Sequence, residues 1–337
     1  MLNINSQKEV LLTQIANSLI SISIPTYNRA NFLDACLEYH IPLAKKYNVK
    51  IFISDNASTD NTEEIVKKRI KEYSLIRYSK NKKNIGPDAG FQKALTFADT
   101  KYVWLLGDTY KIPVDGLSYL IELFSLDKKS YDLIVFNCAN RVKDVPNQDY
   151  IDPNKIFCDL AWHMTCLSVL VYSQRLIKNS NFRRYQNTNF IQTGIIFEYL
   201  ACNDFFVHWN MSLSVDGITL PGIKKTSWVN YTFEIWTERW ANFIFSLPPI
   251  YTVTNKIKVI KSHGVKSSLF SFNALLMLRA RGILNLTAYS KYGELFFLSI
   301  PYSKYILLTL CIVPGSFFQL IIFFYKFILK LKKINNE

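Results

Sequence analysis

The sequence predicts an α/β protein, with a mostly parallel sheet flanked by helices over residues 1–150, then a helical, aromatic-rich part and a hydrophobic tail. Three observations predict it. Strand-like and helix-like segments alternate between residues 19 and 137, the order that builds right-handed strand–helix–strand units and parallel sheets. Polar clusters stand where the first, second and fourth of those strands run out. From 305 to 325 no residue is charged, a stretch of membrane-crossing length.

Residues 19–25, LISISIP, alternate apolar and small polar side chains with the period of a strand, which Pro25 is expected to end. A helix is expected over 31–46 and a second β-rich run at 49–54, VKIFIS. DNASTDNTEE then reads as a turn into a helix, with Asp60 as cap and Glu63 and Glu64 in the first turn, where carboxylates offset the helix dipole. A short strand at LIRY precedes NKKNIGPDAG, rich in turn residues, and a helix over 88–98. KYVWLLGD reads as a buried strand closing in a turn, and a helix over 114–124 and a strand at YDLIVFN complete the pattern. Ligands of such sheets sit beyond the carboxyl ends of the strands, so residues 26–29, 55–60 and Asp108 are expected to share one site. From 151 to 290 the pattern loosens. WHMTCL, NFIQTGIIFEYL and WVNYTFEIWTERWANFIF read as amphipathic helices, and the prolines at 248 and 249 as a stop.

Half of the 337 residues are hydrophobic, which excludes global disorder, and Lys plus Arg exceeds Asp plus Glu by 40 to 26, a net charge of +14. Such an excess suits anionic partners: nucleic acid, anionic lipid or phosphorylated substrates. No helix-turn-helix, zinc-finger or RRM signature is present and the charge is dispersed, so nucleic acid is not expected. No G-x-G-x-x-G follows the first strand, which argues against a dinucleotide-dependent oxidoreductase. The six cysteines form no C-x-x-C pair and read as reduced core thiols of a cytosolic protein rather than metal ligands. MLNINSQKEVLLTQ has neither the apolar run nor the cleavage site of a secretory signal.

SISIPTYNRANFLDACL, FISDNASTDNT, NIGPDAGFQKAL and WLLGD, in that order over residues 18–125, resemble the family 2 glycosyltransferases of the GT-A fold. The resemblance implies a Rossmann-like nucleotide-sugar-binding half in 1–150, an acceptor-binding helical remainder in 151–290 and a membrane-associating tail in 291–337. It places Pro25, Thr26, Tyr27, Asn28 and Arg29 along the nucleotide, where loop amides and a guanidinium can meet phosphate. Asp55 matches the carboxylate that accepts a hydrogen bond from the base N–H, usually of uracil, with Asn56 beside it. Asn84, Gly86, Asp88 and Gly90 match the loop that approaches nucleotide and sugar, and Gly107 precedes the metal motif. The family commonly has Asp-x-Asp there, holding Mg²⁺ or Mn²⁺ against the diphosphate; here the run is Gly107-Asp108-Thr109-Tyr110, with Asp108 as the single metal-binding and catalytic carboxylate. Inverting members use an Asp or Glu as general base. No Glu-Asp pair stands in the expected region, and Glu198 is nominated, with Asp204, Glu234, Glu238 and His163 as further candidates.

The implied function is transfer of a sugar from a nucleoside-diphosphate sugar, UDP-linked by expectation, to a saccharide or lipid-linked saccharide acceptor in cell-surface polysaccharide synthesis. The alternative is a catalytically inactive nucleotide-binding member acting as a binding or scaffold subunit, which the missing second Asp supports. The tail is broken at Pro314-Gly315-Ser316 and followed by Lys326, Lys330, Lys332 and Lys333. A single crossing would carry these lysines away from a cytosolic domain, against the positive-inside tendency, so an in-plane helix pair or a dipping hairpin at the cytoplasmic face of the cell membrane is expected.

Overall fold

A computed structural model of the protein describes residues 17–126, 129–222, 228–320 and 323–324. The expected alternation is present as β1 (Ile20–Thr26), α1 (Ala30–Tyr47), β2 (Lys50–Asp55), α2 (Thr62–Glu72), β3 (Ile76–Lys80), α3 (Pro87–Phe97) and β4 (Tyr102–Leu105). β1 pairs in parallel with β2 and β4, and β2 with β3. The alternating side chains of β1 are buried on both faces. The small hydroxyls let α3 lie close: Ser23 Oγ donates to the Ala94 carbonyl of α3 at 2.7 Å, and Ser21 shares a 2.6 Å bond with Thr100. Pro25 does not end the strand. It pairs with Ser54, and the strand runs on to Thr26, whose carbonyl accepts the Asn56 N–H at 2.9 Å. α1 buries Leu33, Cys36, Leu37, His40, Ile41 and Ala44 along one stripe and stops where Asn48 turns left-handed (φ 53°). Arg69 of α2 fastens that helix to Asp34 of α1 at 2.7 Å.

The chain continues through β5 (Tyr110–Lys111), α4 (Gly116–Leu126), β6 (Leu133–Cys138), β7 (Gln148–Tyr150), α5 (Pro153–Leu160), β8 (Leu170–Ser173), α6 (Gln174–Lys178), α7 (Ile191–Cys202) and β9 (Val207–Gly217). The sheet has nine strands in the order β3-β2-β1-β4-β8-β6-β9-β5, with β7 against β9. β8 runs antiparallel to both β4 and β6, so the sheet is parallel in its first four strands and mixed beyond them. The consequence matters for function. β6 points the same way as β4, so the turn after β6 and the segment entering β8 share an edge with the loops after β1, β2 and β4.

Two segments differ from their sequence reading. WHMTCL is a turn running into a 3₁₀ element, Leu167–Val169, rather than an amphipathic helix. α7 is buried nearly all round rather than on one face, and a Cβ on its Gly194 would lie 2.4 Å from the Tyr185 ring.

The chain forms two compact units, Met1–Lys225 with Leu247–Tyr251, and Thr226–Ser246 with Thr252–Glu337. The boundary expected at 150 therefore falls inside the sheet. The one expected at 290 falls within α11, and the described residues after it, through 320, belong to the second unit. That unit holds α8 (Trp240–Ser246), α9 (Val253–Lys266), α10 (Phe272–Ala280), α11 (Leu286–Ser299) and α12 (Lys304–Ile312), around Phe233, Phe270, Leu275, Phe296 and Leu307. Its segment 228–246 is not one amphipathic helix but a 3₁₀ turn, a π-helical turn at Glu234–Arg239 and then α8. α9 to α12 each start on a side-chain cap, Thr252, Ser271, Asn285 and Ser303, accepting an N–H three residues on. After α12 the helix breaks at Pro314, as expected, and resumes at 315. Among the described residues no helix is long and apolar enough to cross a membrane. The lysines after 325 and the N-terminal segment 1–16 lie outside the described residues.

Candidate active site

Asp108 ties the loops together. Beyond β4, the Gly107 N–H donates to Ser168 Oγ at 3.0 Å, and the turn delivers a buried Asp108. Asp108 Oδ2 accepts from the Thr26 hydroxyl at 2.8 Å, and Oδ1 lies 3.3 Å from the Arg29 guanidinium. The end of β1, the start of α1 and the end of β4 are thereby joined. Gly107 is confined, since a Cβ would meet Ser168 Oγ at 3.2 Å and the Tyr110 ring at 3.3 Å.

Asp55, at the end of β2, is fully buried. Its Oδ1 accepts the Ser58 N–H at 2.8 Å and its Oδ2 the Tyr78 hydroxyl at 2.7 Å. Burial and the Asp55 charge push the Tyr78 phenol far above its ordinary pKa, so it stays a donor. A carboxylate has about four lone-pair sites, which leaves capacity for one further N–H donor. Asn28, in left-handed conformation (φ 50°), laces the first two loops: its N–H donates to Ser58 Oγ at 2.9 Å and its Oδ1 accepts the Thr59 N–H at 2.7 Å. Asp60 serves both neighbouring helices, accepting the Ala30 N–H of α1 at 3.0 Å and the Thr62 N–H of α2 at 3.2 Å. Burial raises its pKa, but the bonds from Thr62 and Ala30 outweigh that and leave it below the ordinary value. Pro25 is part of β1, and Tyr27 stands out from this lacing, 43% exposed.

Asn56 is a brace. Its amide donates to Asn84 Oδ1 and to the Gly86 carbonyl, both at 3.0 Å, and its Oδ1 accepts from Asn81 at 2.9 Å and from the Ile85 N–H at 3.0 Å. The side chain is saturated, and it fixes the backbone of the 81–90 loop. Asn84 Oδ1 also accepts the Gly86 N–H at 2.8 Å. Gly86 has φ 84°, a conformation that L side chains rarely adopt, and Gly90 faces Asn56 so closely that a Cβ would lie 3.3 Å from its amide nitrogen. Asp88 is buried and accepts the Asn189 N–H at 2.9 Å, which links the start of α3 to the segment entering α7.

The candidate bases fare differently. Glu198 lies well along α7 and pairs with Arg184 at 3.3 Å, so it does not join the Asp108 cluster. His163 is fully buried with both ring nitrogens engaged, by the Phe136 carbonyl and by Arg141, and cannot serve as a base. Asp204 gives its carbonyl to Arg175 next to the amino end of β9. Glu234 pairs with Arg239 and, like Glu238, belongs to the second unit. Sequence reasoning missed Tyr78, Asn81 and Ser168. Tyr78 had a signal: it sits beside Ile53 in the β2–β3 register, two residues before Asp55.

Among the described residues no three His, Cys, Asp or Glu side chains are grouped as a metal site. Tyr110 stands where a second acid would, with its ring against Gly107 and its hydroxyl bonded to Cys166. The donor set fits Mg²⁺ or Mn²⁺ only in sparse form, with Asp108 as the one protein carboxylate and diphosphate oxygens and water as the other ligands.

Residues 21–200, more than half of the chain, match the family model "Glycosyl transferase family 2". The abequosyltransferase RfbV of Salmonella typhimurium is 40% identical over 105 residues, 30% of this chain and 31% of that protein, so the match spans less than a third of the relative's length. The glycosyltransferase GlyG of Streptococcus pneumoniae is 22% identical over 253 residues, 68% of this chain and 82% of the relative. Among solved structures, S. aureus TarS 1–349 in complex with UDP-GlcNAc superposes with a TM-score of 0.56 at 16% identity, over 83% of this chain and 84% of that one, a likeness of fold. With the motif loops assembled on one edge of a mixed α/β sheet, the chain belongs to glycosyl transferase family 2 and has the GT-A fold.

Proposed function

We propose that the protein transfers a sugar from a UDP-sugar to an acceptor hydroxyl with inversion. The observation that carries this reading is the buried Asp108 carboxylate joining Thr26 and Arg29, on the same edge as the acceptor-only Asp55. Asp55 would accept the ring N–H of uracil. Cytosine carries a lone pair at that position and would be repelled. Arg29 would meet the diphosphate, and Asp108 would hold Mg²⁺ or Mn²⁺. When bound, the ion neutralises charge gathering on the leaving diphosphate. TarS, crystallised with UDP and with UDP-GlcNAc, shares the fold and supports a uridine donor. A second reading, a nucleotide-binding member without turnover, is favoured by Tyr110 in place of the second acid.

The test is thermal denaturation of the detergent-solubilised full chain with UDP-, dTDP-, GDP- and CDP-sugars. A UDP-sugar at a hundred times its Kd should stabilise by about 2.7 kcal/mol. Equal stabilisation by CDP-sugars, or none by any, would overturn the uridine donor.

The acceptor we propose is a saccharide or lipid-linked saccharide of cell-surface polysaccharide, met at the cytoplasmic membrane face. Supporting this, α12 and the helical segment from 315 bury Leu307, Leu310 and Phe318 while exposing Tyr305, Ile306, Ile312, Phe317 and Leu320. Cutting the chain before α12 would strip the core of the second unit, so exposed positions give the cleaner test. The full chain should float with phosphatidylglycerol vesicles, and Ile306→Ser with Phe317→Ser should weaken flotation without unfolding. A full chain that ignores such vesicles contradicts membrane contact.

A further inference from the structure

Beyond β8 from β4, the turn after β6 presents a cation of a different kind. Ala139 and Asn140 both take left-handed backbone (φ 49° and 50°), and the Arg141 N–H returns to the Cys138 carbonyl at 3.1 Å. Arg141 Nε donates to His163 Nδ1 at 2.8 Å, its Nη2 donates to the His163 carbonyl at 2.7 Å, and the guanidinium lies 5.0 Å over the Trp162 ring. His163 Nε2–H donates to the Phe136 carbonyl at 2.8 Å, which leaves Nδ1 bare to accept. Burial first, and the Arg141 charge second, keep His163 well below its ordinary pKa, so it stays neutral beside the guanidinium. A fully buried imidazole thus holds an arginine in one orientation. Arg29, Arg69 and Arg175 each face a carboxylate, whereas among the described residues Arg141 makes no ion pair, and its Nη1 donates to no protein atom.

Nη1 and the second hydrogen of Nη2 form an end-on fork, the geometry that matches a phosphate or carboxylate. β6 is two strands from β4, about 10 Å at the usual strand spacing, on the side away from Asp55. A contiguous path of Gly107, Tyr110 and Cys166 connects the two places, with Cys166 Sγ 4.0 Å from Cys138 Sγ at the foot of the Arg141 turn.

We infer that Arg141 recognises an anionic group, a phosphate or carboxylate, on the acceptor rather than on the donor nucleotide. The word acceptor rests on the glycosyltransferase reading; the anion site itself does not. Trp162 and His163 are positioning residues that fix the fork, and binding there selects acceptors that carry negative charge close to the accepting hydroxyl.

The experiment titrates the full chain, saturated with UDP, with inorganic phosphate and separately with acetate at constant ionic strength. It follows the arginine side-chain Nε–H signals by NMR, where the Arg141 Nε–H is slowed in exchange by His163. A saturable shift of that signal is expected. Phosphate affinity should be lost in R141Q and fall about tenfold in R141K, which keeps the charge but not the fork, with UDP affinity unchanged in both. Repeating the titration with a sugar 1-phosphate and with geranyl phosphate tells which source carries the charge, the saccharide or the lipid carrier, by which binds tighter. An unmoved Arg141 signal overturns the inference. So does a parallel loss of UDP affinity in R141Q and R141K, which would place Arg141 on the donor diphosphate. If phosphate moves Arg141 but UDP does not bind the wild type at all, the anion site stands and the nucleotide reading falls.

Discussion

On the side of β1 and β2, where the donor nucleotide is proposed to bind, most polar side chains that shape the loops are committed to a neighbour. On the side of β6 and β8, a guanidinium is held in place with part of its fork unused among the described residues. Asn56 spends all four of its hydrogen-bonding positions on the 81–90 loop, and Asn28 commits its backbone N–H and its Oδ1 to the 55–60 loop. Asn56 is thus scaffolding that shapes the backbone of the 81–90 loop. Asp55, Asp108 and Arg29 are the groups that the proposed donor would meet. Across the edge the order is reversed, and the buried His163 and Trp162 support one charged group, Arg141.

Both sides nevertheless contain a buried neutral histidine, and acid should break them together. His40 Nδ1–H donates to the Cys36 carbonyl at 2.6 Å while Nε2 accepts the Ile112 N–H at 3.1 Å, the opposite tautomer to His163. Burial lowers His40 to about 4, with Lys111 adding to it and the Cys36 bond opposing, and His163 is also well below its ordinary value. Folded pKa values below the unfolded one near 6.5 mean that the stability is complete above that pH and is lost as pH falls from there toward the folded values. Each histidine should contribute a slope of about 1.4 kcal/mol per pH unit in that window. Urea unfolding at pH 7, 6 and 5 reads it. His163→Gln, which can keep both hydrogen bonds without a titrating ring, should remove one histidine's share. An unchanged slope in that variant would show that His163 is not buried as described.

Asp55→Ala should weaken UDP binding by roughly 1.5–3 kcal/mol, the range for a hydrogen bond to a charged group, with phosphate binding at Arg141 untouched. Isothermal titration measures both, and equal loss at the two places would erase the contrast between them. Tyr78→Phe should have the smallest effect, about 1 kcal/mol or less on UDP affinity, because Asp55 keeps its Ser58 bond and regains a lone pair for the base. A loss as large as that of Asp55→Ala would make Tyr78 a direct contact.

The same contrast explains what the sequence revealed. The loops after β1 and β2 were legible as local structure because their parts are local: a strand, a polar loop and a helix start within one motif, with Asp60 capping as anticipated, though from one residue before the N-cap. The parallel pairing among β1 to β4 followed from the alternation alone. β8 was not legible, since nothing in LVYS announces an antiparallel strand inserted between β4 and β6. Without it, the meeting of 138–141 with 162–168 could not be foreseen, nor could the role of Ser168 under Gly107. His163 was noticed as a lone histidine among apolar residues, but its work depends on Arg141, 22 residues earlier in the chain. The sequence leaves the helical phase of Glu198 open, and the structure pairs it with Arg184.

The most direct measurement is UDP release from a panel of UDP-sugars by the full chain, compared with Asp108→Asn, which is nearly isosteric. The account predicts that at least one UDP-sugar is cleaved, that excess chelator slows the reaction, and that Asp108→Asn lowers the rate roughly 100-fold or more while the protein remains folded and binds UDP. Release at an unchanged rate in Asp108→Asn would contradict the catalytic role of the site, and binding of UDP-sugars with no cleavage of any would establish the protein as a nucleotide-binding member without turnover.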